Sequence, residues 1–325
     1  MGIKREMQQE IESELRDAGS RITSENYKSF SNILNRQRMI RFVEGAIDDS
    51  SLLAEIATRS YTHSLGFRKI VLLDGRDTNL DYKLRLHIWW PQKAQKEGAP
   101  IAEGKHEHRW DFVSTVLAGM LENQKYIIRD LTEREHGIFQ RFEETMRGLA
   151  PEKVDELCIR LDNYETTLLV GTDSRMPEYG GGILYLQDKV NLENLKATLR
   201  FTEDELLFLT KVLFKYSNER IPGQKTEIYK PVGPMFFEPQ GIAIINQGTT
   251  YFHPISVAHR LFIDPSEFVS TAVLTGPIYK GRRPGEFVHS SAGKNSEDSR
   301  ARNFFTIKTL EEEFNLYLQE MRKSK

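Results

Sequence analysis

The residues best suited to chemistry cluster in two places. His106-Glu107-His108 sets two imidazoles two positions apart at the entrance of the run Phe112 to Gly119, which reads as a strand. Strand side chains alternate, so residues two apart point to one side. Two neutral imidazoles on one side can hold one divalent ion, with a third ligand from elsewhere in the fold. Imidazole suits iron, zinc, copper and nickel alike, so ligand type does not name the metal. The second cluster, Tyr251 to Leu261, carries His253 and His259. Cys158 is the only cysteine of the chain, which excludes an intrachain disulfide, a cysteine-based zinc finger and a CxxC redox site.

The elements that must position these groups follow from periodicity. Ile3, Met7, Ile11 and Leu15 recur every four residues and predict an amphipathic helix. Further helices are predicted from Asn26 to Ala46 and from Ser50 to Arg59. The period then shortens. Lys69 to Leu73 is a short apolar run before the Asp74-Gly75 turn signal. From Asp81 to Trp90, Leu84, Leu86 and Ile88 fall on one face of a strand, with Lys83, Arg85 and His87 on the other. Phe112 to Arg129 predicts strand structure broken near Gly119.

Three Thr-x-x-Glu capping boxes, at Thr132/Glu135, Thr202/Glu205 and Thr309/Glu312, predict later helices. The first helical stretch runs to about Asp162 with a break at Pro151, the second from Glu203 to Tyr216, and the third to the basic C-terminal end. Short strands are expected at Thr167 to Val170 and Ile183 to Leu186. Gly180-Gly181-Gly182 lacks the remaining residues of a phosphate loop. Residues 226 to 277 read as strand-rich, and 281 to 303 as a polar, mobile segment.

The run His106-x-His108-x-x-x-Phe112-x-Ser114-x-x-Leu117-x-Gly119 resembles the first motif of the cupin superfamily, in its cysteine-dioxygenase-like branch. His259-Arg260, followed by a strand that ends in Gly276-Pro277, is similar to the second motif of that branch. The resemblance implies an α+β chain with a mainly β core: a cupin double-stranded β-helix, or jelly-roll barrel. It would be flanked by N-terminal helices, a large α/β insert and a C-terminal helix. The expected boundaries are 1–66 for the helical segment, 67–130 and 226–308 for the barrel, and 309–325 for the last helix. Residues 131–225 would be an inserted subdomain or a second, degenerate barrel half.

The resemblance also implies His106, His108 and His259 as metal ligands, with His253 as second choice for the third. Asp111 and Phe112 stand where cupins usually place a glutamate ligand, which favours a three-histidine site. The implied chemistry is oxidation of a small polar substrate, such as an amino-acid derivative or thiol, by O₂ at non-haem Fe(II). Zn, Mn or Ni would instead suit an isomerase or lyase, and a non-catalytic ligand-binding cupin is the other alternative. Arg85 is the expected substrate clamp, ahead of Arg109 and Arg260. Arg260 should face away if its neighbour His259 faces in. Tyr251 and Tyr82 are the candidate hydroxyl donors. A Cys–Tyr crosslink of the kind some thiol dioxygenases carry would need Cys158 near the metal.

Composition limits the partners. Lys+Arg of 45 against Asp+Glu of 47 gives a net charge of −2, which argues against a nucleic-acid binder. No segment reaches the ~18 consecutive apolar residues of a membrane helix. The single cysteine fits a reducing, cytoplasmic setting, and the charged N-terminal stretch shows no apolar core of a secretory signal. The expected partner is a small molecule, and a homodimer is compatible with the family.

Overall fold

The computed structural model describes residues 2–63, 67–75, 78, 80–91, 101–102, 105–154, 156–158, 160–161, 196, 198–220, 227–264, 266–279, 285–288 and 303–323. Four N-terminal elements come first: α1 (Ile3–Asp17), a 3₁₀ helix (Tyr27–Asn32), α2 (Arg36–Asp48) and α3 (Ser50–Ala57). The helix predicted from Asn26 to Ala46 is thus split. The Asn35 side chain caps α2 by accepting from the Arg38 amide at 3.0 Å, which starts a new helix there.

Two antiparallel sheets follow. The first orders its strands β13-β1-β2-β3-β11-β5-β9 and the second β12-β7-β8-β6-β10-β4. In the first, β1 is Tyr61–Thr62, β2 Arg68–Asp74, β3 Lys83–Trp89, β5 Phe112–Ala118, β9 Thr250–His253, β11 Val269–Thr275 and β13 Asn303–Phe304. In the second, β4 is Ile101–Ala102, β6 Met120–Asp130, β7 Val212–Arg220, β8 Glu227–Asn246, β10 Ala258–Ile263 and β12 Gly285–Val288. The remaining helices are α4 (Glu133–Arg147), α5 (Glu203–Thr210) and α6 (Ile307–Lys323). No helix among the described residues is long and apolar enough to cross a membrane.

Alternation along each strand divides the core. Leu84, Leu86 and Ile88 of β3 pack with the helical layer of α1, α2, α3 and α6, as do Val113 and Leu117 of β5. The alternate residues turn inward. Trp89, Val116 and Val269 from the first sheet meet Leu121, Ile245, Leu261 and Ile263 from the second in a shared core. The result is a barrel-like β core backed by helices. Every residue of β5 and β11 is buried because both faces are covered. Glu313 of α6 ties the layers together, accepting from Arg68 Nε at 2.6 Å and Trp90 Nε1 at 2.7 Å.

Several boundaries move from their expected places. β1 lies within the segment expected to be helical and pairs with β13, so the sheet begins before residue 67. The helix predicted to reach Tyr216 stops at Thr210. The aromatic and β-branched positions Val212, Phe214 and Tyr216 instead form β7, which pairs with β8 along nine positions. Residues 212–220 therefore extend the second sheet. The capping boxes at Thr132 and Thr202 form. The last helix starts earlier than expected, because the Thr306 hydroxyl caps the Thr309 amide at 3.0 Å. β12 is a strand inside the segment expected to be mobile. The predicted strands at 167–170 and 183–186, and the glycine run at 180–182, lie outside the described residues.

Gly119 makes the corner between β5 and β6. Its φ of +70° is left-handed, and an added Cβ would meet the Phe268 carbonyl oxygen at 2.5 Å. Only glycine fits that turn without strain. It brings β6, with its inward side chains, beside the metal-type cluster described next.

Candidate metal centre

His106 and His259 bond each other through their backbones in an antiparallel bridge, N–H to carbonyl in both directions at 3.0 Å. That bridge pins the loop before β5 to the edge of β10. Within the loop, alternate residues are tied outward. Glu107 accepts from Lys215 Nζ of β7 at 2.6 Å. Asp111 accepts from the Ile255 amide and the Tyr279 hydroxyl, each at 2.6 Å. With Glu107 and Asp111 anchored this way, His106 and His108 turn to the other side. Asp111 is therefore a clamp on the loop and not a fourth ligand.

The three Nε2 atoms converge. His259 Nε2 lies 2.9 Å from His108 Nε2 and 3.2 Å from His106 Nε2. These three side chains form a metal-capable group whose ligand atoms all lie within 4.8 Å of one another. The tautomer of His259 is set from behind. With Asn123 Oδ1 as acceptor at 3.1 Å, His259 Nδ1 carries the proton and Nε2 keeps its lone pair. Burial holds His108 and His259 well below the ordinary histidine range, so both are neutral at pH 7. Nε2–H tautomers of His106 and His108 would donate to His259 Nε2, and with the other tautomers the three lone pairs would face one cation.

The spacing also fits an ion. At metal–nitrogen bonds of about 2.1 Å, two nitrogens subtending about 90–100° lie about 3.0–3.2 Å apart. The tetrahedral angle would place them nearer 3.4 Å apart. The donor set and its spacing thus accommodate a divalent ion on one face of three imidazoles.

His253 sits beside this group without joining it. Its ring centroid is 4.1 Å from that of His259 and it stacks on Phe112 at 4.9 Å. Its Nε2–H donates to the Val257 carbonyl at 3.0 Å. Burial lowers its pKa to about 3.

The other expected residues divide in the same way. Arg85 is buried on the inward face of β3, with its guanidinium 4.8 Å from the centre of the Trp110 ring, and Trp110 neighbours His108 at 6.1 Å. Tyr251 is two residues before His253 on β9 and packs edge-on to Phe112 at 6.3 Å. Arg260 turns away as expected, stacking at 4.9 Å over Phe262, which shares its strand face. Arg109 contributes its carbonyl to the Tyr279 amide at 2.9 Å. Tyr82 is not at the site. It is fully buried in the helix-backed core, 3.4 Å from the Glu12 carboxylate of α1. Cys158 packs with Phe142, Leu157 and Leu206 in a separate helical cluster, so the crosslink idea gains nothing.

Two residues escaped the sequence reading, Asn123 and Lys125. A signal existed. Asn123 and Gln124 are poor strand formers in the middle of β6, yet both are buried. Buried polar residues inside a strand need partners, and for Asn123 that partner is His259.

Two measurable consequences follow from this geometry. Asn123→Leu removes the acceptor that fixes the His259 tautomer, and metal affinity is expected to fall roughly 10–100-fold. Titration of the metal-free variant with Zn²⁺ or Fe²⁺ against a competing chelator reads this directly. The second concerns His87, which burial also holds well below its ordinary pKa. A lowered folded-state pKa means the unfolded chain binds the proton more readily, so stability is present above about pH 6.5 and lost as pH falls. The metal-free protein is expected to melt at lower temperature with each step from pH 7.5 to 5. His87→Phe, set among Phe67 and Trp89, should flatten that slope, and an unchanged slope would refute the assignment.

No protein-family model matches the chain, and comparison with curated proteins found no match.

Proposed function

We propose that the chain is a metal-dependent cupin-type enzyme, a non-haem Fe(II) oxygenase that oxidises a small polar substrate with O₂. The approach of the His106 and His108 Nε2 atoms to His259 Nε2, in a group whose ligand atoms all lie within 4.8 Å of one another, carries this reading. Three imidazoles on one face leave the opposite face open for other ligands. Three imidazoles suit iron and zinc alike, so the choice of iron rests on the resemblance of the motifs and not on the spacing. The two antiparallel sheets sharing one core are what a jelly-roll would require.

When bound, ferrous iron would supply the redox chemistry with O₂. The chain supplies the rest. Asn123 orients His259, and the Asp111 and Glu107 anchors hold the His106–His108 loop. Phe112 and Trp110 shield the rings from water. Arg85, buried on the inward face, would bind a substrate oxyanion, because its fork matches two oxygens. Tyr251, on the same face as His253, is the candidate hydroxyl donor to bound substrate.

The test is metal analysis of the purified protein, followed by anaerobic Fe(II) loading and addition of nitric oxide as a surrogate for O₂. A ferrous-nitrosyl paramagnetic signal that disappears in His106→Ala supports an open iron site. Tight Zn, Mn or Ni binding with no such signal would favour an isomerase or lyase. Absence of any metal would leave a ligand-binding module.

A further inference from the structure

The interior face that carries the triad also carries fixed positive charge. Lys125 of β6 stands directly opposite His259 in the β6–β10 ladder, on the face that Asn123 shares. Lys69 of β2 stands directly opposite His87 of β3, and Arg85 is two residues from His87 on that same face. Opposed residues in a ladder have Cβ atoms about 5 Å apart on one side of the sheet. Both sheets therefore send cations toward the histidines. Among lysines and arginines, Lys69 and Arg85 bear on His87 and His108, and Lys125 bears on His259.

Hydrogen-bond donors are arranged to match. Asn123 Nδ2 and Ser114 Oγ are buried and lack a partner among the described residues. Ser114 and Arg85 flank Val273 in one row across the first sheet. Burying such groups without partners costs free energy, so an interior lined with them calls for a polar occupant. A nearby set of cations and donors specifies its charge.

We propose that the interior face beside the triad binds a small organic oxyanion carrying two negative charges, such as a phosphonate or dicarboxylate, held between Lys125 of one sheet and Arg85 and Lys69 of the other. A zwitterionic amino acid, with its own ammonium group, suits this lining less well. The inference rests on the proposed function only in placing the anion beside a metal. The cations are not metal ligands, so the anion site should persist without one.

Calorimetric titration with methylphosphonate and methanesulfonate tests it, at a pH where the first carries two charges and the second one. The two probes share their shape. Methylphosphonate is expected to bind at least tenfold tighter to metal-free protein, with the preference shrinking as salt rises. Lys125→Gln should reduce that preference severalfold, and Lys125→Arg should restore it. Lys125 is only half-buried, so neither change endangers folding, and an unchanged melting temperature verifies this. Equal binding of the two probes, or full preference retained in Lys125→Gln, overturns the proposal. Metal content measured on the same samples separates the two readings. Charge preference without bound metal leaves this inference standing and removes the oxygenase. Bound metal without charge preference does the reverse.

Discussion

His259→Ala is expected to cause the largest loss of metal affinity of any single substitution at the site. Four-ligand structural zinc sites carry about 10–16 kcal/mol of apparent binding free energy, or roughly 2.5–4 kcal/mol per ligand. Losing one ligand should therefore weaken binding about a hundred- to thousandfold. His259 is the most consequential of the three, because its Nε2 makes both short approaches and its backbone holds His106. The backbone bridge survives substitution by alanine, so folding should survive too. Wild-type protein at metal concentrations a thousandfold above Kd gains about 4 kcal/mol of stability, read as a rise in melting temperature. The variant, its affinity weakened a hundred- to thousandfold, should gain only about 0.4–1.4 kcal/mol at the same concentration. His136 is exposed on α4, away from the triad loop, and His136→Ala should behave as wild type. His253→Ala is the sharper control, because its Nε2 is committed to Val257 and not to the cluster. Retention of metal by His259→Ala with loss in His253→Ala would exchange their roles.

Much of that site was legible in the sequence because strand alternation is a strict period. The spacing of His106 and His108 predicted a shared side, and the adjacency of His259 and Arg260 predicted opposite faces. Both hold, although His106 and His108 lie in the loop before β5 and not within it. Their alignment comes from the outward anchors Glu107 and Asp111, which are tertiary contacts that no local pattern encodes. Arg85 and His87 read as the polar face of a strand. That this face turns to the interior, and not to water, depends on the second sheet covering it. Tyr82 shows the converse failure. It begins the same predicted strand, yet it lies before β3 starts, and its ring fills the helix-backed core against Gly75, where an added Cβ would meet it at 2.3 Å. The error at residues 211–216 has the same origin. Leu209 and Leu213 are four apart and suit a helix, but pairing with β8 satisfies the backbone along nine positions and overrides that pattern.

The helical layer shows where stability resides, and Phe314→Ala is expected to cost about 3–5 kcal/mol. Leu310, Phe314, Tyr317, Leu318 and Met321 form one buried stripe along α6 at helical spacing. Phe314 is fully buried in the core that includes Phe42, Leu53, Leu84 and Ile88. Removing its ring leaves a cavity bounded by several rigid elements, namely α2, α3 and the first sheet. Such a site collapses little, so the upper part of the range applies. Total stability of a domain is about 5–15 kcal/mol, so this one change removes a large share. The metal ligands lie away from that core, His259 on β10 of the second sheet and His106 and His108 on the loop bridged to it. Their geometry depends on that strand and loop and not on the ring, so folded Phe314→Ala should bind metal with near-normal affinity. Metal should also raise its melting temperature by about as much as it raises the wild type's. Urea unfolding with and without metal measures both quantities. A loss under about 1 kcal/mol would mean the helix is dispensable to the core. A large loss of metal affinity in folded protein would mean that the backing layer sets the triad's geometry.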